Sequence, residues 1–416
     1  MAAAVDSPPP ASKSATMVGV TTPSAEMRFA SAVVTRTGLA DASRQLCAGI
    51  EERLAGATPT VAVLLASAHF EDELQSIVSV VAERLAPRAM IGTTGEAVIC
   101  GEFEYENQPA VALWAASLPG ATVRSFHLSQ DQLGGMSSAA ELSDHLEIPP
   151  LSEPNFVLLG DPFSIDVLRL LDLLGAAYEG RPAVGGMASA GEAPGQNAVI
   201  CDGQLLAQGA AGVAICGGVA IEHVVSQGCR PIGRPWVITR AERNVIHQLG
   251  GKTALVAVNE MLSQCTPQEI ELARARGLLV GRVINEYQPT FSRGDFLIRN
   301  PLGFDPSSGA MAVNDLVRTG QTVQFHVRDE ASADADLTEM LAASAPGGMG
   351  ALLFNCNGRG TRLYSHAHHD ARAVSDRLGG APLAGLFCAG EIGPIGRRNF
   401  LHGHTASIAI FRPAGA

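Results

Sequence analysis

The chain reads as an α/β (α+β) protein, with mixed sheets built from repeated β-α-β-β units and divided into two domains. Three observations support this reading. Short continuous apolar runs of strand length recur along the chain. Each is followed by a segment with apolar residues three and four positions apart. A second apolar run then leads to a Gly-Glu pair.

The first unit opens with Val61-Ala62-Val63-Leu64-Leu65, which matches a strand buried on both faces. From Glu73 to Leu85, the spacing of Leu74, Ile77, Val78, Val81 and Leu85 predicts an amphipathic helix. Ala89 to Thr94 follows as a strand, ending at Gly95-Glu96, and Ala110 to Ala115 closes the unit. The order returns from Asn155, with Phe156–Leu159, a helix over 165–174, Ala183–Met187, Gly191-Glu192 and Gly212–Cys216. It returns again from Gly350, with Ala351–Phe354, a helix over 370–378, Leu383–Phe387, Gly390-Glu391 and Ala406–Phe411.

The segment between the second and third units differs. Residues 245–262 read as helical with Gly250-Gly251 interrupting them, and 269–276 as a second helix. Strands are expected at 277–284, 296–299 and 321–328, and a helix at 334–343. A diverged fourth unit is one reading of this stretch. Residues 1–25, rich in Ala, Ser, Pro and Thr, read as a disordered tail. The two domains are then expected at 26–250 and 251–416.

Composition narrows the function classes. Hydrophobic residues make up 46% of the 416-residue chain and aromatics only 5%, so the core must rest on aliphatic side chains. A net charge of -12 disfavours non-specific nucleic-acid binding, while leaving room for a local basic pocket. No apolar run approaches the roughly 20 residues of a membrane helix, so no membrane partner is expected. Nor does the N-terminus carry a basic start and apolar stretch. The eight cysteines form no CxxC pair, and several lie in apolar runs. Reduced thiols in a cytoplasmic protein are the expectation.

Several residues suit a binding site. Asn355-Cys356-Asn357-Gly358-Arg359-Gly360 directly follows a buried strand, where ligands of α/β sheets bind. Arg359 suits a carboxylate or phosphate there, or a structural carboxylate. The stretch from Gly390 to Thr405 combines glycines with Glu391, Arg397, Arg398, Asn399, His402 and His404. It suits an anion-binding concavity or a polar hairpin. The candidate ligand residues are therefore Asn357, Arg359, Gly360, Glu391, Asn399 and His402, with Arg230 of Gly228–Gly233 added. Glu96 and Glu192 read as structural. His366, His368, His369, Asp370, His402 and His404 fit no familiar metal spacing, so no metal is expected. Neither a phosphate-binding loop nor a dinucleotide fingerprint is present, and no cofactor is expected. A thiol enzyme using Cys356 or Cys388 with His402 or His404 is the alternative, and an interaction module without a small ligand is another.

Four stretches resemble the FIST family, with its N-terminal and C-terminal domains in tandem: IGTTGE at 91–96, VGGMAS at 184–189 with GCRPIG at 228–233, FNCNGRG at 354–360, and AGLFCAGEIGPIGRRNFLHGHTASIAIF at 384–411. The resemblance covers nearly all the chain beyond the tail. It implies a sensory, small-ligand-binding module, with amino acids or their derivatives as a suggested ligand class. It supplies no catalytic residues. Family members often accompany a signalling output domain or an F-box, and neither is legible here. A stand-alone sensor that signals through a partner protein or self-association is the expectation.

Overall fold

The computed structural model describes residues 26–35 and 39–414. The expected tail over 1–25 lies outside them. The first unit comprises β1 (Arg28–Val34), β2 (Val61–Ser67), β3 (Ala89–Gly95), a short hairpin of β4 (Val98–Cys100) and β5 (Phe103–Tyr105), and β6 (Val111–Ser117). The second comprises β7 (Thr122–Leu128), β8 (Asn155–Gly160), β9 (Ala183–Met187), the hairpin β10 (Val199–Cys201) and β11 (Gln204–Leu206), and β12 (Ala210–Cys216). Next come β13 (Val219–Ser226), β14 (Arg230–Glu242), β15 (Val245–Leu249), β16 (Lys252–Thr253), β17 (Leu279–Val283), β18 (Phe296–Arg299), β19 (Pro301–Phe304), β20 (Met311–Val313) and β21 (Thr322–Val327). The third unit holds β22 (Gly350–Cys356), β23 (Leu383–Cys388), the hairpin β24 (Glu391–Ile395) and β25 (Arg398–His402), and β26 (Ala406–Pro413).

The three repeats build three sheets with one plan. Their orders are β1-β6-β2-β3-β10-β11, β7-β12-β8-β9-β24-β25 and β13-β26-β22-β23-β4-β5. In each, one pair runs parallel (β2/β3, β8/β9, β22/β23), and the closing strand (β6, β12, β26) returns antiparallel to the first of that pair. Parallel neighbours need a crossover, and the amphipathic helices supply it. Leu74, Ile77, Val78, Val81 and Leu85 are all buried, as their spacing predicts.

Of the hairpins, only the third was anticipated, as one of two readings of the stretch from Gly390 to Thr405. Each leaves its own unit and extends another's sheet. The second unit's hairpin completes the first sheet, the third's completes the second, and the first's completes the third. The exchange closes a ring of three. The sheet faces turned away from the helices share one core, which includes Val63, Trp114, Val213, Phe354 and Phe411. Trp114 and Phe411 pack with ring centroids 4.9 Å apart at its centre.

One glycine recurs in all three units. A side chain at Gly92, Gly185 or Gly385 would collide with a carbonyl oxygen of the parallel neighbour, at Leu64, Leu158 and Leu353 respectively. Each pair is matched in register. Measured from this glycine, the Gly-Glu pairs begin three, six and five residues later. They therefore mark unequal positions, and the strand glycine is the truer signature of the repeat.

The middle segment is not a fourth unit. Strands β14 to β21 form one eight-stranded sheet, and every pairing in it is antiparallel. Among the described residues it has no parallel pair of neighbouring strands, the pairing that marks each repeat. The expected helix from 245 begins only at Ala254, because Val245–Leu249 pairs with β14 and Gly250-Gly251 turn with positive φ. Residue 250 thus lies in a turn inside this sheet. Among the described residues, no helix is long and apolar enough to cross a membrane.

Candidate ligand site

Parallel strands β22 and β23 end side by side at Cys356 and Cys388, which are partners in register. Beyond them the chain must turn, and the turns open a cleft against the eight-stranded sheet. Asn357 follows β22, Ala389-Gly390 follow β23, and the β24–β25 hairpin returns to His402-Gly403-His404. From the other side come Ile298, Arg299 and Asn300 at the end of β18, and Asn314 to Leu316 after β20. The open cleft holds about 470 Å³. Its place beyond the carboxyl ends of parallel strands is the usual one for ligands of such sheets.

Glu391 dominates the floor. The residue is 0% exposed. Its Oε2 accepts the Thr405 backbone N–H at 3.1 Å, while Oε1 is buried with no hydrogen-bond partner. Burial pushes its carboxyl up to about 8, and the Thr405 amide, Arg328, Arg359 and the adjacent Cys356 thiol oppose that shift. The Asn357 side-chain oxygen is likewise buried without a partner. Buried polar atoms are normally satisfied, so two orphans on one cavity wall mark it as a place for polar ligand atoms.

The neighbouring histidines are neutral. His402 donates from Nε2 to the Gly393 carbonyl at 3.0 Å, and burial lowers it to about 4. His404 accepts an Arg328 N–H at Nδ1 (3.2 Å) and donates from Nε2 to the Asn300 side-chain oxygen (3.0 Å). Burial and the Arg328 charge lower it to about 3. Burial also raises the thiols, Cys356 to about 11 and Cys388 well above its ordinary value. Both are protonated at neutral pH, the opposite of an activated nucleophile.

The predicted residues divide. Asn357, Glu391 and His402 line the cavity together. Arg359 does not line it. Its guanidinium is fully buried and grips Asp370 through Nε (2.6 Å) and Nη2 (2.8 Å), with Nη2 also reaching the Tyr364 hydroxyl. Asn355 and His369 add bonds to the same carboxylate, which is held well below its usual range. Arg359 is therefore a brace under the turn, although its charge still acts on Glu391. Gly360 supplies a positive φ where a side chain would strike the Glu106 carboxylate. Arg230 pairs with Glu269 and Asp329, tying β14 to neighbouring helices. Asn399 bonds the Ala183 amide and the Arg181 carbonyl, pinning the hairpin to the second unit. It lines a second hollow of about 380 Å³ beside the first.

The two histidine groups engage different partners. His368 accepts the Glu104 backbone N–H, whereas His369 meets Asp334 and Asp370. Among the described residues, no group of three or more His, Cys, Asp or Glu is arranged to hold a metal. Residues missed from the sequence include Arg299, Asn300, Asp315 and Leu316. Their nearness to β23 depends on long-range packing.

Comparison with known proteins bears on the whole chain. A model of the FIST N domain matches residues 60–252, and one of the FIST C domain matches 254–394. "Uncharacterized protein Rv0628c" of Mycobacterium tuberculosis (strain ATCC 25618 / H37Rv) is 41% identical over 389 residues, covering 92% of this chain and 100% of that protein. "Uncharacterized protein Mb0898c" of Mycobacterium bovis (strain ATCC BAA-935 / AF2122/97) is 39% identical, covering 92% and 99%. Among solved structures, a cyanuric acid hydrolase from A. caulinodans aligns over 94% of this chain and 100% of that one, with a TM-score of 0.37 and 9% identity.

Proposed function

We propose, since this chain belongs to the FIST family of sensory small-ligand domains, that it senses a small polar or anionic molecule in the cleft between the third unit and the eight-stranded sheet. Amino acids or their derivatives fit that class. A cytoplasmic setting is part of the proposal, in keeping with eight free cysteines. So is an output through a partner protein or self-association.

One observation carries the reading. Glu391 presents an unpartnered carboxyl oxygen, fully buried, on the wall of a cavity large enough for a metabolite. The cavity draws its walls from two bodies of the fold, so a ligand there would contact both. That gives binding a means of changing their relation, as a sensor requires.

The test is a thermal-shift screen of polar and anionic metabolites on wild type and Glu391→Gln. A ligand at one hundred times its Kd should stabilise the wild type by about 2.7 kcal/mol. The variant should keep its fold and lose most of that gain. An undiminished response in Glu391→Gln would remove Glu391 from the site.

A further inference from the structure

The cavity does not stand alone. Leu168, Arg299, Asp315, Leu316 and Leu401 line both it and the 380 Å³ hollow beside it. The two are chambers of one groove with a shared waist.

The chambers differ in charge. In the second, Arg282 and Arg299 share a single carboxylate, Asp315, at 2.8 and 3.1 Å. All three side chains are mostly buried. Arg318 and Arg398 face the same chamber, and neither has an ion pair among the described residues. They approach from different bodies, Arg318 from the loop before β21 and Arg398 from β25. Against these four guanidinium groups stand Asp172, Glu286 and Asp315. The local balance is one positive charge in excess, on a chain that carries -12 in total.

The first chamber has no such cationic excess on its wall. Its polar floor offers Glu391 Oε1 and Asn357 Oδ1, both unpartnered. Around the waist and mouth lie leucines that are unusually open for cavity-lining residues. Leu168 is 44% exposed, Leu302 62% and Leu316 66%. Scattered exposed leucines are ordinary. Three around one groove, supplied by two bodies, form an apolar middle between two polar ends.

We propose that the groove takes an aliphatic monocarboxylate bearing a neutral hydrogen-bond donor, such as a hydroxyl, at its far end. Its carboxylate lies against Arg299, Arg318 and Arg398. Its hydrocarbon spacer crosses Leu168, Leu302 and Leu316. Its hydroxyl reaches Glu391 and Asn357. A single excess guanidinium charge suits a monoanion rather than a dianion. A neutral donor suits the floor better than an ammonium group, because Arg299, Arg328 and Arg359 all act on Glu391. This inference rests on the cleft being the ligand site.

The experiment compares 6-hydroxyhexanoate, hexanoate and 1,6-hexanediol by calorimetry and thermal shift, with 4- and 8-carbon hydroxy acids for length. The hydroxy acid should bind at least about tenfold more tightly than either single-ended analogue, an interaction of the usual size for one lost polar contact. Arg318→Gln/Arg398→Gln, both exposed positions, should erase the advantage of 6-hydroxyhexanoate over the diol and leave the diol's own binding intact. Equal binding of diol and hydroxy acid by wild type overturns the inference, as does an advantage untouched in the double variant. No binding by any member of the series also overturns it. If other polar molecules then still stabilise wild type but not Glu391→Gln, the cleft remains the ligand site and only the ligand class is wrong.

Discussion

Glu96 and Glu391 follow the equivalent strands β3 and β23, and both follow a glycine. Their surroundings are opposite. Glu96 is about one-third exposed and paired with Arg362, and the hollow beside it measures only about 90 Å³. Glu391 is sealed from solvent, has no cation within ion-pair distance among the described residues, and borders about 470 Å³. The difference comes from what covers each end of the ring. At Glu96 the cover is the turn after β22, which supplies its own arginine. At Glu391 it is the eight-stranded sheet, which stands off and leaves a gap. Repetition builds the frame, and the inserted sheet makes one of its ends different.

The turn after β22 offers the sharpest way to break this comparison. Arg359→Ala would leave the buried Asp370 carboxylate without its guanidinium partner, held only by Asn355 and His369. Removing one partner of a buried pair costs about 3–5 kcal/mol. Chemical denaturation should show a loss of that size, with Asp370→Asn also destabilising. A loss under about 1 kcal/mol would mean that the guanidinium is free to serve a ligand instead.

A second set tests whether the three units are truly equivalent. Gly92→Ala, Gly185→Ala and Gly385→Ala each push a methyl group into a backbone carbonyl that a side-chain rotation cannot clear. Overpacking of this kind costs about 1–3 kcal/mol. Gly92→Ala and Gly385→Ala should lose similar amounts by denaturant midpoint, and Gly185→Ala more, because its φ of +150° adds backbone strain to the clash. One tolerant position would show that its unit relaxes where the others do not.

Much of the frame was legible in the sequence. The apolar runs, the helix spacing over 74–85 and the thrice-repeated element order all report local rules of burial. The hairpin exchange was not legible, because β4, β10 and β24 pair with strands distant in sequence and are short. Around the cleft, Asn357 drew notice because it sits where β22 runs out, and Glu391 and His402 because they lie in a loop rich in glycines and donors. Arg359 showed the limit of that reasoning. A guanidinium between two glycines looks the same in sequence whether it faces a ligand or turns inward to Asp370. Only the position of that aspartate, eleven residues on and folded back beneath the turn, decides it. Arg299 and Leu316 lie far away in the chain, and nothing local connects them to β23.

A pH series separates a sealed carboxyl from a merely paired one. Burial holds Glu391 up to about 8, from an ordinary value near 4.5. Between those values the folded chain keeps a proton that the unfolded chain has released. Stability from this group is therefore full below about pH 4.5, falls as pH rises, and levels off above about 8. Glu391→Gln carries no such proton. The stability of wild type relative to this variant should decline steadily from pH 5 to 8 and then stay flat. Glu104, pushed up to about 7 by burial and Asp370, titrates in both proteins and cancels in the difference. So do His223, His326, His402 and His404, which burial keeps neutral. Were Glu391 instead ionised and held by Arg328, the same difference would rise with pH between about 3 and 5 and be flat near 8. The sign of the slope thus decides whether the floor of the cleft presents a neutral acid or a charged one to its ligand.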